Sequence, residues 1–176
     1  MKKIVYIAAS LLLCLTVFSC SKEDIGGTAT ESMAGDWYVI CDAVDENGQV
    51  VEEDFNEGYF HILTYNTAEN VPTKLYVDDE ENMLGLKVVA TADMNAMTFS
   101  TPDTLDVECG YASYVNGRAI VTNGKIIKNG GHQKNGSVAD SISFYVEYSM
   151  DKLAANYDYK KYHFHGIRYS GLVEND

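Results

Sequence analysis

The sequence predicts an all-β protein: an antiparallel up-and-down barrel of about eight to ten strands. Composition is the first reason, because 13 Tyr, abundant Val, Ile and Thr, and only two Pro favour strands over helices. Turn chemistry is the second, since Asn-Gly occurs at 47–48, 116–117, 123–124, 129–130 and 135–136 and suits hairpin turns with positive φ. Period-two alternation is the third. A β-sandwich would share these features, but consecutive hairpins favour a barrel.

Ten segments are predicted as strands, and some neighbouring pairs could form one bent strand. They are 36–44, 58–66, 73–78, 84–91, 96–100, 105–112, 118–123, 125–129, 141–149 and 159–170. Alternation is clear in 141–149, where Ile142, Phe144, Val146 and Tyr148 oppose serines and a glutamate. One apolar face and one solvent-exposed polar face indicate an antiparallel sheet folded around its own interior.

The N-terminal segment is typical of a bacterial secretory signal peptide that ends in a cysteine. Lys2 and Lys3 precede a nearly continuous apolar run over 4–17, and polarity changes directly after Cys20. The run VFSC at 17–20 resembles a lipobox, in which cleavage precedes the cysteine and its thiol carries a diacylglyceryl group. A membrane-spanning helix is the alternative, but the apolar stretch is short for a bilayer core of ~30 Å.

These features predict three parts of the chain. Residues 1–19 are the signal peptide, residues 20–33 a lipidated flexible tether containing two glycines and several Ser/Thr, and residues 34–176 a single barrel domain. Cleavage before Cys20 removes two lysines and no acids, so the formal charge changes from −13 to −15 and 157 residues remain. So acidic a chain repels phosphate backbones and anionic lipids, which argues against nucleic-acid binding and leaves the Cys20 lipid as the membrane attachment.

Cys41 and Cys109 remain after processing. An oxidising envelope permits a disulfide between them, while their apolar alternating surroundings suit buried free thiols equally well. No C-x-x-C pair suggests a zinc site.

A tryptophan and an arginine at opposite ends of the domain suggest how the barrel closes. Gly35-Asp36-Trp37 opens the first predicted strand, and Arg168 lies in the last. This resembles the calycins, which carry G-x-W at the start of the barrel and often set a final-strand arginine across that ring. A guanidinium stacked on an indole gains a cation–π contact while its protons reach carbonyls.

A closer resemblance covers most of the mature chain. The stretches AGDWYV at 34–39, GKIIKNG at 124–130, DSI at 140–142 and GIRYSGL at 166–172 resemble the lipid-binding putative hydrolase family of small bacterial lipoproteins. The resemblance implies a lipocalin-like, calycin-type barrel on an envelope lipoprotein. It supplies no catalytic set.

The residues themselves give little support for an enzyme. No G-x-S-x-G elbow is present, and Asp140 and Ser141 are adjacent on a strand and therefore point to opposite faces. His163 and His165 have suitable spacing for two metal ligands, with His61 as a conceivable third. Parity with an inward Arg168 places both on the outer face, so we predict no metal site and no cofactor, and the sequence assigns no residue a catalytic role.

Binding of an apolar ligand makes fewer demands than catalysis. We predict that inward side chains line a pocket for a lipid or other small apolar molecule. They are Val39, Leu86, Val88, Phe99, Val107, Phe144, Val146 and Tyr148. An esterase-like hydrolase using the same cavity, and a structural or interaction lipoprotein with a filled barrel, are the alternatives.

Two short motifs concern location and modification. Ser-Lys-Glu-Asp after Cys20 resembles the acidic tags of surface-exposed lipoproteins, so we expect an outer-membrane lipoprotein, on the periplasmic face or preferably on the cell surface. Asp103-Thr104-Leu105 and Asp140-Ser141-Ile142 resemble a bacterial O-glycosylation acceptor. Thr104 is the better candidate, because Pro102 and Asp103 place it in a loop.

Overall fold

A single sheet of ten strands makes up the part of the chain that the computed structural model describes, residues 27–83, 85–102, 105–106, 118–148, 161–172 and 175. The strands are β1 Gly35–Val44, β2 Val50–Glu52, β3 Phe60–Asn66, β4 Lys74–Asp78, β5 Lys87–Asp93, β6 Thr98–Ser100, β7 Leu105–Asp106, β8 Arg118–His132, β9 Val138–Tyr148 and β10 Lys161–Arg168. Within these residues no helix has the length and apolar character needed to cross a membrane.

The sheet closes on itself, which confirms the predicted antiparallel barrel. Eight strands form the ring in the order β10-β9-β8-β6-β5-β4-β3-β1, and β1 pairs with β10 to complete it. The short strands β2 and β7 pair with β1 and β8 beyond the ends of β3 and β6. In the closing pair Trp37 lies opposite Arg168, so the two ends of the domain meet as the calycin resemblance implied.

Period-two alternation explains which side of each strand faces the core. In β9 the burial alternates from Ile142 onward, with Phe144, Val146 and Tyr148 buried between more exposed neighbours. In β10 Tyr162 and Phe164 are buried, whereas the histidines between and after them are half-buried. Alternating apolar residues thus build an interior shared by all eight ring strands.

Two of the predicted Asn-Gly turns are wrong. Residues 123–124 and 129–130 lie inside β8, where the pairing with β9 shifts register between Thr122 and Lys125 and again between Ile127 and Gly131. Asn123 and Asn129 adopt positive φ there, at 54° and 57°. The same left-handed preference that suits a turn serves a β-bulge, so 118–123 and 125–129 are one irregular strand. The turns at 47–48 and 135–136 are present, with Gly48 and Gly136 at positive φ; 116–117 lies outside the described residues.

The chain packs against the barrel before residue 34. Met33 is fully buried in the core, Thr30 is buried, and the backbone N–H of Ala29 donates to Asn70 Oδ1 at 2.8 Å. Thr30 and Met33 thus pack against the barrel, within the segment that the sequence predicts as a tether.

Candidate functional site

The floor of the barrel is built around Trp37. Its ring is fully buried, and the Arg168 guanidinium carbon lies 4.4 Å from the ring centroid, inside the range of a cation–π contact. Arg168 Nη1 donates to the carbonyl of Ala34 at 2.8 Å, and its Nε donates to Asp140 Oδ2 at 3.2 Å. Trp37 Nε1 donates to Thr64 Oγ1 at 2.8 Å. The polar groups of Trp37 and Arg168 are thus hydrogen-bonded where they cover the apolar core.

Gly35 is required by this arrangement. A Cβ at Gly35 would collide with the guanidinium of Arg168. The glycine of the G-x-W motif therefore leaves space for the arginine from the last strand.

The predicted ligand-binding residues are brought together in the interior. Val39, Leu86, Val88, Phe99, Phe144, Val146 and Tyr148 are all buried, while Val107 lies outside the described residues. Phe144 stacks on Phe164 with centroids 5.0 Å apart and contacts Phe99 at 5.6 Å. The predicted set omitted Phe60, Tyr162 and Phe164, which are also buried in this core. Aromatic side chains thus occupy much of the described interior.

Among the described residues, two clefts stand out. The larger, of about 680 Å³, lies between β5, β6 and β8 and is lined mostly by polar residues such as Thr98, Thr101 and Asn123. Phe99 is the one predicted ligand-binding residue that lines it. The second, of about 320 Å³, lies beside Arg168 and Asp140.

A polar cluster lies on the outer face where β1, β10 and β9 run side by side. We call Asp42, Ser143, His163 and His165 the outer-face cluster. His163 Nε2 lies 2.8 Å from Ser143 Oγ, and His165 Nε2 lies 3.0 Å from Asp42 Oδ2. The two imidazoles stack with centroids 4.7 Å apart. The register sets this arrangement, because His163 pairs with Asp42 across β1 and His165 pairs with Ser143 across β9.

Burial shifts the pKa of His163 in the outer-face cluster and of Cys41, the residue before Asp42. Desolvation lowers the pKa of His163, the adjacent His165 lowers it further, and Asp42 partly offsets both. His163 is therefore held toward the neutral form. On the inner side, burial and then the carboxylates of Asp42 and Asp54 raise the pKa of the Cys41 thiol. Cys41 is a buried free thiol, and Cys109 lies outside the described residues.

His61 does not join the two histidines that sequence spacing had grouped with it. It lies 2.7 Å from Asp36 Oδ1 and packs edge-on against Tyr169. Sequence reasoning missed Asp42 and Ser143 as neighbours of His163 and His165. Parity places all four on the outer face, but only the strand register brings them together. The predicted modification sites Cys20 and Thr104 lie outside the described residues.

Comparison with known proteins gives a family. A search of curated proteins found no match. The family model described as lipid-binding putative hydrolase matches residues 22–173, which is most of the chain. The matched range includes the Trp37–Arg168 floor, the interior residues and the outer-face cluster. The chain therefore belongs to the lipid-binding putative hydrolase family.

Proposed function

We propose that this protein is an envelope lipoprotein, anchored through a lipid on Cys20, whose barrel binds a lipid or another small apolar molecule. The observation that carries the proposal is the continuous apolar interior, to which every ring strand contributes, in a member of a family described as lipid-binding. Apolar surface of this kind binds apolar ligands without charged partners.

The position of the N-terminus gives the proposal an orientation. The chain enters β1 at Gly35, beside the floor closed by Trp37 and Arg168. Seven residue steps separate Cys20 from Gly27, the first described residue, and an extended chain of that length spans at most about 25 Å. A lipid on Cys20 would hold the floor toward the membrane, so that the opposite end of the barrel faces away from it and would admit the ligand.

Metabolic labelling tests the anchor. Cells expressing the wild type should incorporate radiolabelled palmitate into the protein, and Cys20→Ala should abolish the incorporation. Cys14→Ala is the matched control, because Cys14 lies within the same apolar segment and is not expected to be acylated. Equal labelling of the wild type and Cys20→Ala would refute the anchor.

Ligand binding is tested on purified full-length protein in two ways. Native mass spectrometry and lipid extraction should reveal a co-purifying apolar molecule. An environment-sensitive fatty-acid probe should bind with a negative heat-capacity change, the mark of apolar burial. Phe144→Asp should weaken probe binding, because it places an uncompensated charge in the core. Val138→Asp is the control, since Val138 lies on the same strand and is 57% exposed.

Circular dichroism must show that each variant folds. If Phe144→Asp does not fold, Val88→Phe gives a second test, because its added volume should reduce probe binding without adding charge. A folded wild type that carries no lipid and binds no probe would favour the alternative of a filled barrel. In that alternative, side chains such as the stacked rings of Phe144 and Phe164 fill the interior.

Hydrolysis is a second candidate function, favoured by the contact between Ser143 and His163. The hydroxyl lies 2.8 Å from His163 Nε2, and the lowered pKa of His163 keeps the imidazole available as a base. Ser143 Oγ would attack an ester carbonyl as its proton passes to His163. The alcohol would leave with that proton, and water would then hydrolyse the acyl-serine. This places the chemistry on the outer face rather than in the cavity predicted from sequence.

Ester turnover and labelling by a fluorophosphonate test this candidate. Ser143→Ala should remove both activities. Ser141→Ala is the matched control, because Ser141 lies two residues away on the same face of β9. Absence of turnover and labelling in the folded wild type would refute hydrolysis by Ser143.

A further inference from the structure

We propose that Asp42, His163 and His165 form a binding site for a divalent transition-metal ion of the Zn²⁺ type on the outer face of the barrel. One ligand atom from each of the three residues lies within 4.8 Å of the other two. Two imidazole nitrogens and one carboxylate oxygen are a donor set that zinc and its neighbours in the first transition row prefer. The inference goes beyond ligand binding in the interior and does not depend on it.

The distances are close to those of a bound site. Zinc binds nitrogen and carboxylate oxygen at about 2.0–2.2 Å, so two ligands of one tetrahedral ion are about 3.4 Å apart. His165 Nε2 and Asp42 Oδ2 are already 3.0 Å apart. The ligand atoms lie within 4.8 Å of one another, so the longest distance between two of them must shorten by at most about 1.4 Å. Rotation of the His163 ring about its side-chain bonds can supply this shortening, because both histidines lie at the surface of β10 and are only half-buried.

Neighbouring groups orient two of the three donors. Asp42 is 8% exposed, and its Oδ1 accepts a hydrogen bond from the backbone N–H of Asp54 at 2.9 Å, which fixes the carboxylate and directs Oδ2 toward His165. The Tyr145 ring stacks on His163 with centroids 4.4 Å apart. Outer contacts of this kind orient metal ligands and strengthen binding.

The donor set also indicates which ions would be excluded. Mg²⁺ and Ca²⁺ prefer six or more oxygen ligands, and this cluster offers one carboxylate with two imidazoles. Three protein ligands leave at least one coordination position for water. Ser143 Oγ lies beside His163, so metal binding and the serine mechanism would both use this imidazole.

Titration calorimetry of the purified full-length protein with ZnCl₂ tests the site. Wild type should bind one Zn²⁺, and Zn²⁺ but not Mg²⁺ should raise its melting temperature by mass action. His165→Ala and Asp42→Asn should each weaken binding by at least about 100-fold, since even loss of an outer contact costs about 10–100-fold. Co²⁺ added to the wild type should give the visible absorption of a tetrahedral site.

Two control variants separate this site from nonspecific binding to surface histidines and from the serine mechanism. His61→Ala removes another outer-face histidine that lies beside Asp36 instead, and should bind Zn²⁺ like the wild type. Ser143→Ala should also retain Zn²⁺ binding, even if it removes ester hydrolysis. The proposal would be overturned if the wild type bound Zn²⁺ no more tightly than a folded His163→Ala/His165→Ala variant. It would also be overturned if His61→Ala lost as much Zn²⁺ affinity as His165→Ala.

Discussion

Removal of the Arg168 side chain should loosen the barrel floor and destabilise the whole domain. The guanidinium makes three contacts: the Trp37 ring at 4.4 Å, the Ala34 carbonyl at 2.8 Å and Asp140 at 3.2 Å. A cation–π contact contributes about 0.5–2 kcal/mol, and a hydrogen bond from a charged donor about 1.5–3 kcal/mol. The ion pair adds about 0.2–1 kcal/mol, because the Arg168 side chain is 31% exposed.

Arg168→Ala should therefore lower the free energy of unfolding by about 3 kcal/mol. In a domain of this size that corresponds to roughly 6–12 °C in melting temperature. Trp37 is the only tryptophan in the chain, so its fluorescence reports on this contact and on global unfolding together. Urea titrations of wild type and variant should differ in midpoint and share one slope.

Two further variants identify which contact matters. Arg168→Lys keeps the charge but loses the planar group, and should show about half of the destabilisation. Lys128→Ala removes another cation that lies 2.8 Å from Asp140 but makes no contact with Trp37, and should cost below about 1 kcal/mol. A change below about 0.5 kcal/mol for Arg168→Ala, with unchanged Trp37 emission, would refute the argument that this pair closes the floor.

Four more outcomes are expected. Gly35→Ala should destabilise the protein and shift Trp37 emission like Arg168→Ala, because its Cβ collides with the guanidinium. Thr64→Val should cost about 2–4 kcal/mol in urea unfolding, since it leaves both the Trp37 N–H and the Met33 carbonyl without a partner. Cys41 should react with iodoacetamide only on unfolding, as judged by peptide mass spectrometry, because burial raises its thiol pKa. Desolvation opposes ionisation of Asp140, but Lys128, the Asn129 N–H and Arg168 outweigh it and lower the pKa of this carboxyl below 3.8. The stability that Asp140 contributes is therefore present at neutral pH and is lost as pH falls through the lowered pKa. Asp140→Asn should reduce the loss of stability at acid pH in a stability–pH curve.

Much of the barrel could be predicted from local patterns. Alternation placed Phe144 and Val146 inward in β9, because each strand buries one face. The G-x-W motif and the final-strand arginine anticipated the Trp37–Arg168 contact, since closure brings the first and last strands together. The strand at Val50–Glu52 was missed, because all three residues are exposed and carry no burial pattern.

The outer-face cluster could not be predicted in the same way. His163 and His165 were singled out by spacing, but Asp42 is more than a hundred residues away and Ser143 lies on another strand. Alternation says which face a residue occupies and leaves open which residue lies opposite it. The register across β1, β10 and β9 supplies that information. The two bulges in β8 show why the register is hard to derive from sequence, because each bulge shifts the pairing with β9.

The strict inward and outward alternation of β10 separates two proposed activities within one strand. Tyr162 and Phe164 face the core, while His163 and His165 face the outer-face cluster. Removal of an outward imidazole leaves the inward rings in contact. His165→Ala should therefore weaken Zn²⁺ binding by at least about 100-fold and leave the affinity for a fatty-acid probe within about twofold of wild type. Phe144→Leu should alter probe binding and leave Zn²⁺ affinity unchanged, since the Phe144 ring packs on Phe99 and Phe164 in the core. Sites that share no partner give additive effects, so the double variant tests directly whether the two faces act independently. A fall in probe affinity with His165→Ala in a folded protein would mean that the two faces of the sheet are coupled, and that the interior and the outer-face cluster belong to one site.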